Sequence, residues 1–232
     1  MMKVTLLSYT PEPDRVVATA ARLCYSPRAA DELWEELTVE KQKEFLAKLW
    51  NYGHYSPFEH ASFTFALTGV SRALSHQLVR HRIASYAQRS QRYINETDFP
   101  VVVPPTVQRD PRAEAEFTNV IRQIREGYKR LVALGIPKED ARYLLPNACA
   151  TQLIMTMNAR SLFNFFALRC CRRAQWEIRE LAWEIRRQVL MVAPLIFAQT
   201  GPACLVKGEC PEGPMTCGEP YTWSEVAENA GR

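Results

Sequence analysis

The run from Pro111 to Leu134 constrains the fold more than any other segment. Phe117, Val120, Ile121, Ile124, Tyr128 and Leu131 recur three or four residues apart, which puts them on one stripe of an α-helix. Gly135 stops this helix, and Pro137 starts a short second one, PKEDARYLL, at the first-turn position that proline favours.

Segments of β character stand between other helical ones. KVTLLSY (3–9) reads as a strand, and Pro11 and Pro13 then open a helix through Ala18 to about Tyr25. TVEKQKEFLAKLW (38–50) carries Phe45, Leu46 and Leu49 opposite its charges, an amphipathic helix started by Thr38 and ended by Gly53. ASFTFAL (61–67) is expected to be a strand, and Ser71 to about Arg82 a helix with Gln77, Arg80 and His81 on one side. The stretch that follows is expected to loop back to a strand near Tyr93, Ile94 and Val101 to Val103, closed by Pro104 and Pro105. CATQLIMTM (149–157) suggests a further strand, with helices over 161–171 and 174–199. Strands interspersed with more numerous helices give an α+β architecture. No interdomain linker appears, so residues 1–200 read as one domain, followed by an irregular tail over 201–232.

Composition excludes several classes. With 232 residues, 47% apolar and 23% charged, the chain can bury a full core like an ordinary globular protein. A formal charge of +4 is too mild for bulk nucleic-acid binding, so no nucleic-acid partner is expected. No apolar stretch reaches membrane-spanning length, and MMKVTLLSYTPEP lacks a signal peptide's apolar region, which makes a cytoplasmic protein with no membrane partner the default. The seven cysteines include Cys24, Cys149, Cys170 and Cys171 in apolar helical or strand contexts, read as reduced thiols in a core. Cys204, Cys210 and Cys217 lie in the Gly/Pro-rich tail without a C-x-x-C pair or an evident fourth ligand, and no metal is expected there.

Three polar clusters could carry chemistry. Arg80 to Tyr93, RHRIASYAQRSQRY, packs Arg80, Arg82, Arg89 and Arg92 among Ser85, Ser90, Gln88, Gln91, Tyr86 and Tyr93, with Arg72 just upstream. Arginine's planar fork matches phosphate geometry, and the neighbouring hydroxyls and amides suit recognition better than the alternative, a solvated basic face. Asn158, Arg160, Ser161, Asn164 and Arg169 form the second cluster, with Arg160 and Asn164 one helical turn apart. Leu162, Phe163, Phe165, Phe166 and Leu168 between them would pack inward, as beside a flat ligand with polar edges, or as any amphipathic helix packs. The third is HYSPFEH (54–60), where a metal is a poor match because His54 and His60 lie six apart across a proline. Ser90 has no neighbouring base, so phosphate contact suits it better than nucleophilic attack. No Walker loop, G-x-G-x-x-G or H-E-x-x-H motif is present.

Arg80-His81-Arg82, seven residues, Ser90, and then Arg92-Tyr93 resembles the signature of the flavin-dependent thymidylate synthases. HYSPFEHASFTF (54–65), Asn158-Ala159-Arg160-Ser161-Leu162 with Asn164, and Leu168-Arg169 followed by AQWEI (174–178) are similar to other segments of that family, in its order. The resemblance covers about residues 10–200 and leaves out the tail.

What the resemblance implies is an FAD enzyme that makes dTMP from dUMP, with 5,10-methylenetetrahydrofolate as carbon donor, NADPH or NADH as reductant, and no cysteine nucleophile. It implies a twisted, mainly antiparallel sheet flanked by helices and a homotetramer with active sites between subunits. By position, FAD is expected at His54, Ser56, Glu59, Arg80, His81, Arg82, Gln88, Asn158, Arg160 and Asn164. The nucleotide is expected at Gln77, Arg80, Gln88, Arg89, Ser90, Gln91, Arg92, Arg142 and Arg169, with Arg169 catalytic at the uracil edge and Ser90 and Arg92 on the phosphate. Position 88 is Gln where the family often has Glu, which removes a charge but keeps an acceptor oxygen. Two rivals remain at this point: a non-catalytic RNA or nucleotide binder, and a folate-dependent methyltransferase acting on tRNA uracil.

Overall fold

The structure is a computed structural model that describes residues 2–230. Its elements run β1 (Lys3–Tyr9), α1 (Pro13–Leu23), α2 (Ala30–Glu36), α3 (Val39–Asn51), β2 (Ser62–Ser71), α4 (Arg72–Leu78), β3 (Ser85–Gln88), α5 (Pro105–Gln108) and α6 (Pro111–Ala133). They continue with α7 (Lys138–Ala141), β4 (Ala150–Asn158), α8 (Ala159–Arg169), α9 (Trp176–Val192), α10 (Pro194–Phe197), α11 (Ala203–Lys207) and α12 (Trp223–Ala230). Short 3-10 turns lie at Ser56–His60, Arg142–Leu144 and Gly213–Met215. The strands form an antiparallel sheet in the order β1-β2-β4-β3, and the α+β class expected from the sequence holds.

Two compact units divide the described residues. One holds residues 2–3, Ala66–Arg80 and Tyr86–Ile154; the other holds Val4–Phe65, His81–Ser85 and residues 155–230. β2 and β4 contribute residues to both.

In the second unit, the Ala159 amide donates to the Ala61 carbonyl at 2.8 Å, and the Thr64 and Thr156 hydroxyls meet at 2.9 Å. Each step forward on β2 thus matches a step back on β4, the antiparallel register. Phe63 and Phe65 alternate inward on β2, as Met155 and Met157 do on β4. They meet a cluster of rings in which Phe197 lies 5.3 Å from Phe63, 5.8 Å from Phe163 and 6.0 Å from Phe166. In the first unit, Phe99, Ile121 and Cys149 form a buried cluster with Phe117, Ile124 and Leu145 against it, so α6 buries the stripe that its spacing predicted. Val120 is the exception on that stripe, standing exposed.

Two strands hand directly to capped helices, and this positions the polar clusters. Ser71 ends β2 and its Oγ accepts the Leu74 amide at 2.9 Å, starting α4. Asn158 ends β4 and its Oδ1 accepts the Ser161 amide at 2.8 Å, starting α8. Thr38 caps α3 as expected, and Gly53, at φ 69°, takes the left-handed conformation that ends it.

Several expectations need correction. α4 stops at Leu78 rather than near Arg82, so Arg80 and His81 lie beyond the helix and do not share a helical side with Gln77. The Tyr86 hydroxyl donates to the Leu78 carbonyl at 2.9 Å, occupying the acceptor that another turn would need. The strand of the arginine-rich stretch is Ser85–Gln88, not Tyr93, Ile94 and 101–103; Val101 makes only an isolated bridge to Cys149. Pro100 and Pro104 flank that segment, and neither has an N–H to extend a ladder. Pro194 splits the expected 174–199 helix into α9 and α10 for the same reason. α2 was not foreseen: of its seven residues only Leu33 is buried, too little to give a period. Cys24 and Leu168 are exposed rather than core, and Cys171 is only half-buried. The tail carries α11 and α12 at its ends, with largely irregular backbone between them.

Candidate active site

Within the first unit, Gln88, Arg89 and Ser90 line one cavity of about 630 Å³, together with Tyr93 and Ile94 and the outward residues of β4. The Arg89 amide donates to the Gln152 carbonyl at 3.0 Å, which holds this turn against β4. The Arg89 guanidinium lies 3.6 Å from the carboxylate of Glu96, whose pKa burial raises despite Arg89 and Arg72 nearby. The Gln88 amide donates to Ser75 Oγ at 3.0 Å and Thr151 Oγ1 at 3.3 Å, and Ser75 donates onward to the Arg72 carbonyl. Gln88 is therefore oriented by two hydroxyls, and its neutral amide is the group that this pair can accept from.

Arg92 and Arg142 come together on Glu139. Arg92 Nε and Nη2 reach Glu139 Oε2 at 2.9 and 2.8 Å, and Arg142 Nε donates to the Glu139 carbonyl at 3.0 Å. The Arg92 pKa is raised by that carboxylate. The Ser90 hydroxyl accepts the Arg92 amide at 3.2 Å, so Ser90 shapes the turn that presents the guanidinium. Gln91 points the other way: it is buried and its amide donates to Cys149 Sγ at 3.6 Å. Gln77 is half-buried on α4, and Arg80 follows it exposed, its amide on the Gln77 carbonyl at 3.3 Å.

Within the second unit, His54, Ser56 and Arg160 line a cavity of about 440 Å³ with Tyr55 and Leu49. Glu59 pairs with Arg160, both solvent-exposed, and Asn164 stands exposed one turn further along α8. Asn158 is half-buried and spends its side-chain oxygen on the helix cap. At the other end of α8, Arg169 Nε donates to His81 Nε2 at 3.0 Å, and the His81 ring packs edge-on against Phe165 at 5.0 Å. Burial and the Arg169 charge push the His81 pKa down to about 4, so the imidazole is neutral at pH 7. A neutral ring that accepts at Nε2 carries its proton on Nδ1. Arg82 is exposed on the same short segment.

Sequence reasoning missed Glu139, Ser75 and Thr151, the side chains that orient Arg92 and Gln88, and it named Phe165 as inward-packing without its contact to His81. Each sits on a different element from the group that it holds, and no spacing rule links them. Two of the thiols offer little nucleophilicity: burial pushes Cys149 up to about 11 and Cys170 well above the ordinary thiol range. Among the described residues no helix is long and apolar enough to cross a membrane.

The sequence matches the family model described as thymidylate synthase complementing protein over residues 5–195. It is 51% identical over 234 residues to a flavin-dependent thymidylate synthase of Clostridium tetani, and 54% identical over 220 residues to one of Geobacter sulfurreducens, with 94% of both chains covered in each case. A third, from Nitratidesulfovibrio vulgaris, is 44% identical over 230 residues, covering 93% of this chain and 94% of its own.

Proposed function

Because the chain belongs to the flavin-dependent thymidylate synthase family, we infer that it methylates dUMP reductively to dTMP. The carbon comes from 5,10-methylenetetrahydrofolate and the reducing equivalents from NADPH or NADH through FAD, without a cysteine nucleophile. The observation that carries the residue-level reading is the Arg169–His81 pair, a half-buried guanidinium whose plane is set by a neutral imidazole.

The side chains offered to FAD suit an anionic aromatic group. His54, Ser56 and Arg160 face one cavity, where a guanidinium can meet phosphate and Tyr55 adds an aromatic wall. We assign FAD contacts to these residues and to Glu59, Arg80, His81, Arg82, Gln88, Asn158 and Asn164. FAD, when bound, supplies the redox chemistry. Arg169 is assigned to the uracil edge, where its charge favours loss of the N3 proton and raises electron density at C5. Gln77, Arg80, Gln88, Arg89, Ser90, Gln91, Arg92 and Arg142 are assigned to the nucleotide. For Gln91 this needs a side-chain turn away from Cys149. A homotetramer with shared active sites, in the cytoplasm, is the proposed assembly.

The direct test is the visible spectrum of the purified protein with product analysis. Flavin absorption that NADPH bleaches, and dTMP formed only when dUMP and methylenetetrahydrofolate are both present, is the expected result. Colourless protein that takes up no FAD and makes no dTMP would refute it.

The Arg92–Glu139 pair gives a sharper prediction. A carboxylate occupies the fork assigned to the dUMP phosphate, and both partners are about half-exposed, so exchange costs little. Arg92→Ala should raise the KM for dUMP about tenfold or more, the loss of one charge-assisted contact. Glu139→Gln should lower it, because the competing carboxylate is gone. Steady-state kinetics of both variants decide the matter; two shifts of the same sign would show that the pair only shapes the loop.

A further inference from the structure

We propose that Cys171, Cys204, Cys210 and Cys217 bind one zinc ion as four thiolates and so fasten the C-terminal segment to the end of α8. The tail cysteines alone, spaced by five and six residues, lack a fourth ligand. The fold supplies one. Cys171, two residues past α8, lines the same cavity as Cys204, Cys210 and Cys217. The other three cysteines lie elsewhere: Cys24 is exposed, and Cys149 and Cys170 are buried. All seven are free thiols.

The cavity measures about 210 Å³. Thiolate is the ligand that zinc prefers over the carboxylates of Glu209, Glu212 and Glu219, which share the wall. Binding is balanced as four thiols and one Zn²⁺ giving the tetrathiolate complex, of net charge −2, and four protons released to solvent. Arg172 and Arg173 in the wall offset that charge. The Cys217 sulphur lies 3.4 Å from the Glu219 amide, an N–H to sulphur contact of the kind that supports a thiolate. As a thiol it donates to the Glu219 carbonyl at the same distance, and that proton is one of the four released.

Among the described residues no three Cys, His, Asp or Glu stand at ligating distance, so binding would draw the sulphurs together. Gly208 and Gly218 flank Cys210 and Cys217 at φ 75° and 76°, where the missing Cβ leaves the backbone room to adjust. Arg172 holds the segment in place meanwhile, donating to the Glu219 carbonyl at 2.8 Å and to Glu225 at 2.7 Å, with its guanidinium 4.0 Å from the Tyr221 ring centre.

The test uses the full-length protein produced in zinc-supplemented medium. Elemental analysis should find one zinc per chain, and zinc-edge X-ray absorption should show four sulphur neighbours at about 2.3 Å. Cys204→Ser and Cys217→Ser should each lose the zinc, whereas Cys24→Ser should keep it. Absence of zinc, a shell of nitrogen and oxygen neighbours, iron with acid-labile sulphide, or disulfides among the four would each overturn the proposal. Should a serine variant fail to fold, the metal content and absorption edge of the unmodified protein still decide.

Discussion

Arg169→Ala lowers kcat by about 10²- to 10³-fold while the protein keeps its flavin spectrum. The expectation rests on position: Arg169 closes α8, is half-buried, and donates to the His81 ring. On the proposed assignment its removal would delete charge at the pyrimidine edge, while the cavity of His54, Ser56 and Arg160 proposed for FAD is left as it is. An unchanged kcat would sink the assignment. A second reading separates this role from a structural one. Without Arg169 the His81 pKa should climb from about 4 toward 6.5 but stop short, because burial is the larger cause of its depression. The sign for stability follows from linkage. Between pH 6.5 and 4 the unfolded chain binds a proton at His81 that the folded one refuses, so stability falls as pH drops through that window. NMR titration of His81, with urea midpoints at pH 7 and pH 5, would measure both effects.

Phe197→Ala costs about 3–5 kcal/mol of stability, the range for truncating a buried aromatic that leaves a cavity. Phe197 is fully buried at the centre of the ring cluster, with Phe63 from β2 and Phe163 and Phe166 from α8 around it. Edge-to-face contacts of this kind are lost along with the buried area. Thermal melting should fall by roughly 6–20 °C for a chain of this size. Val120→Ala, at an exposed site on α6, is the control and should stay within about 0.5 kcal/mol of the parent. A Phe197→Ala variant as stable as that control would mean that the ring cluster does not organise the core.

Local chemistry made much of the fold legible. The strand at 3–9 is found as read, and α3 and α6 lie within a residue or so of their predicted bounds. Capping hydroxyls, proline at first turns and a sustained apolar period all act over a few residues, so a sequence states them directly. Some failures came from prolines inside an expected element, as Pro194 splits α9 from α10, and others where a group on another element intervened, as when Tyr86 takes the Leu78 carbonyl and cuts α4 short.

The same division holds for the candidate site. Residue types and order were enough to point to phosphate, a flat aromatic ligand and a known family, because guanidinium forks and amides carry their preferences with them. What they could not say is which partner each group faces. Arg92 on Glu139, Gln88 on Ser75 and Thr151, and His81 on Arg169 are pairings between residues 13 to 88 positions apart. Only the folded chain brings such groups within a few ångströms, and charge state and orientation depend on that last short distance.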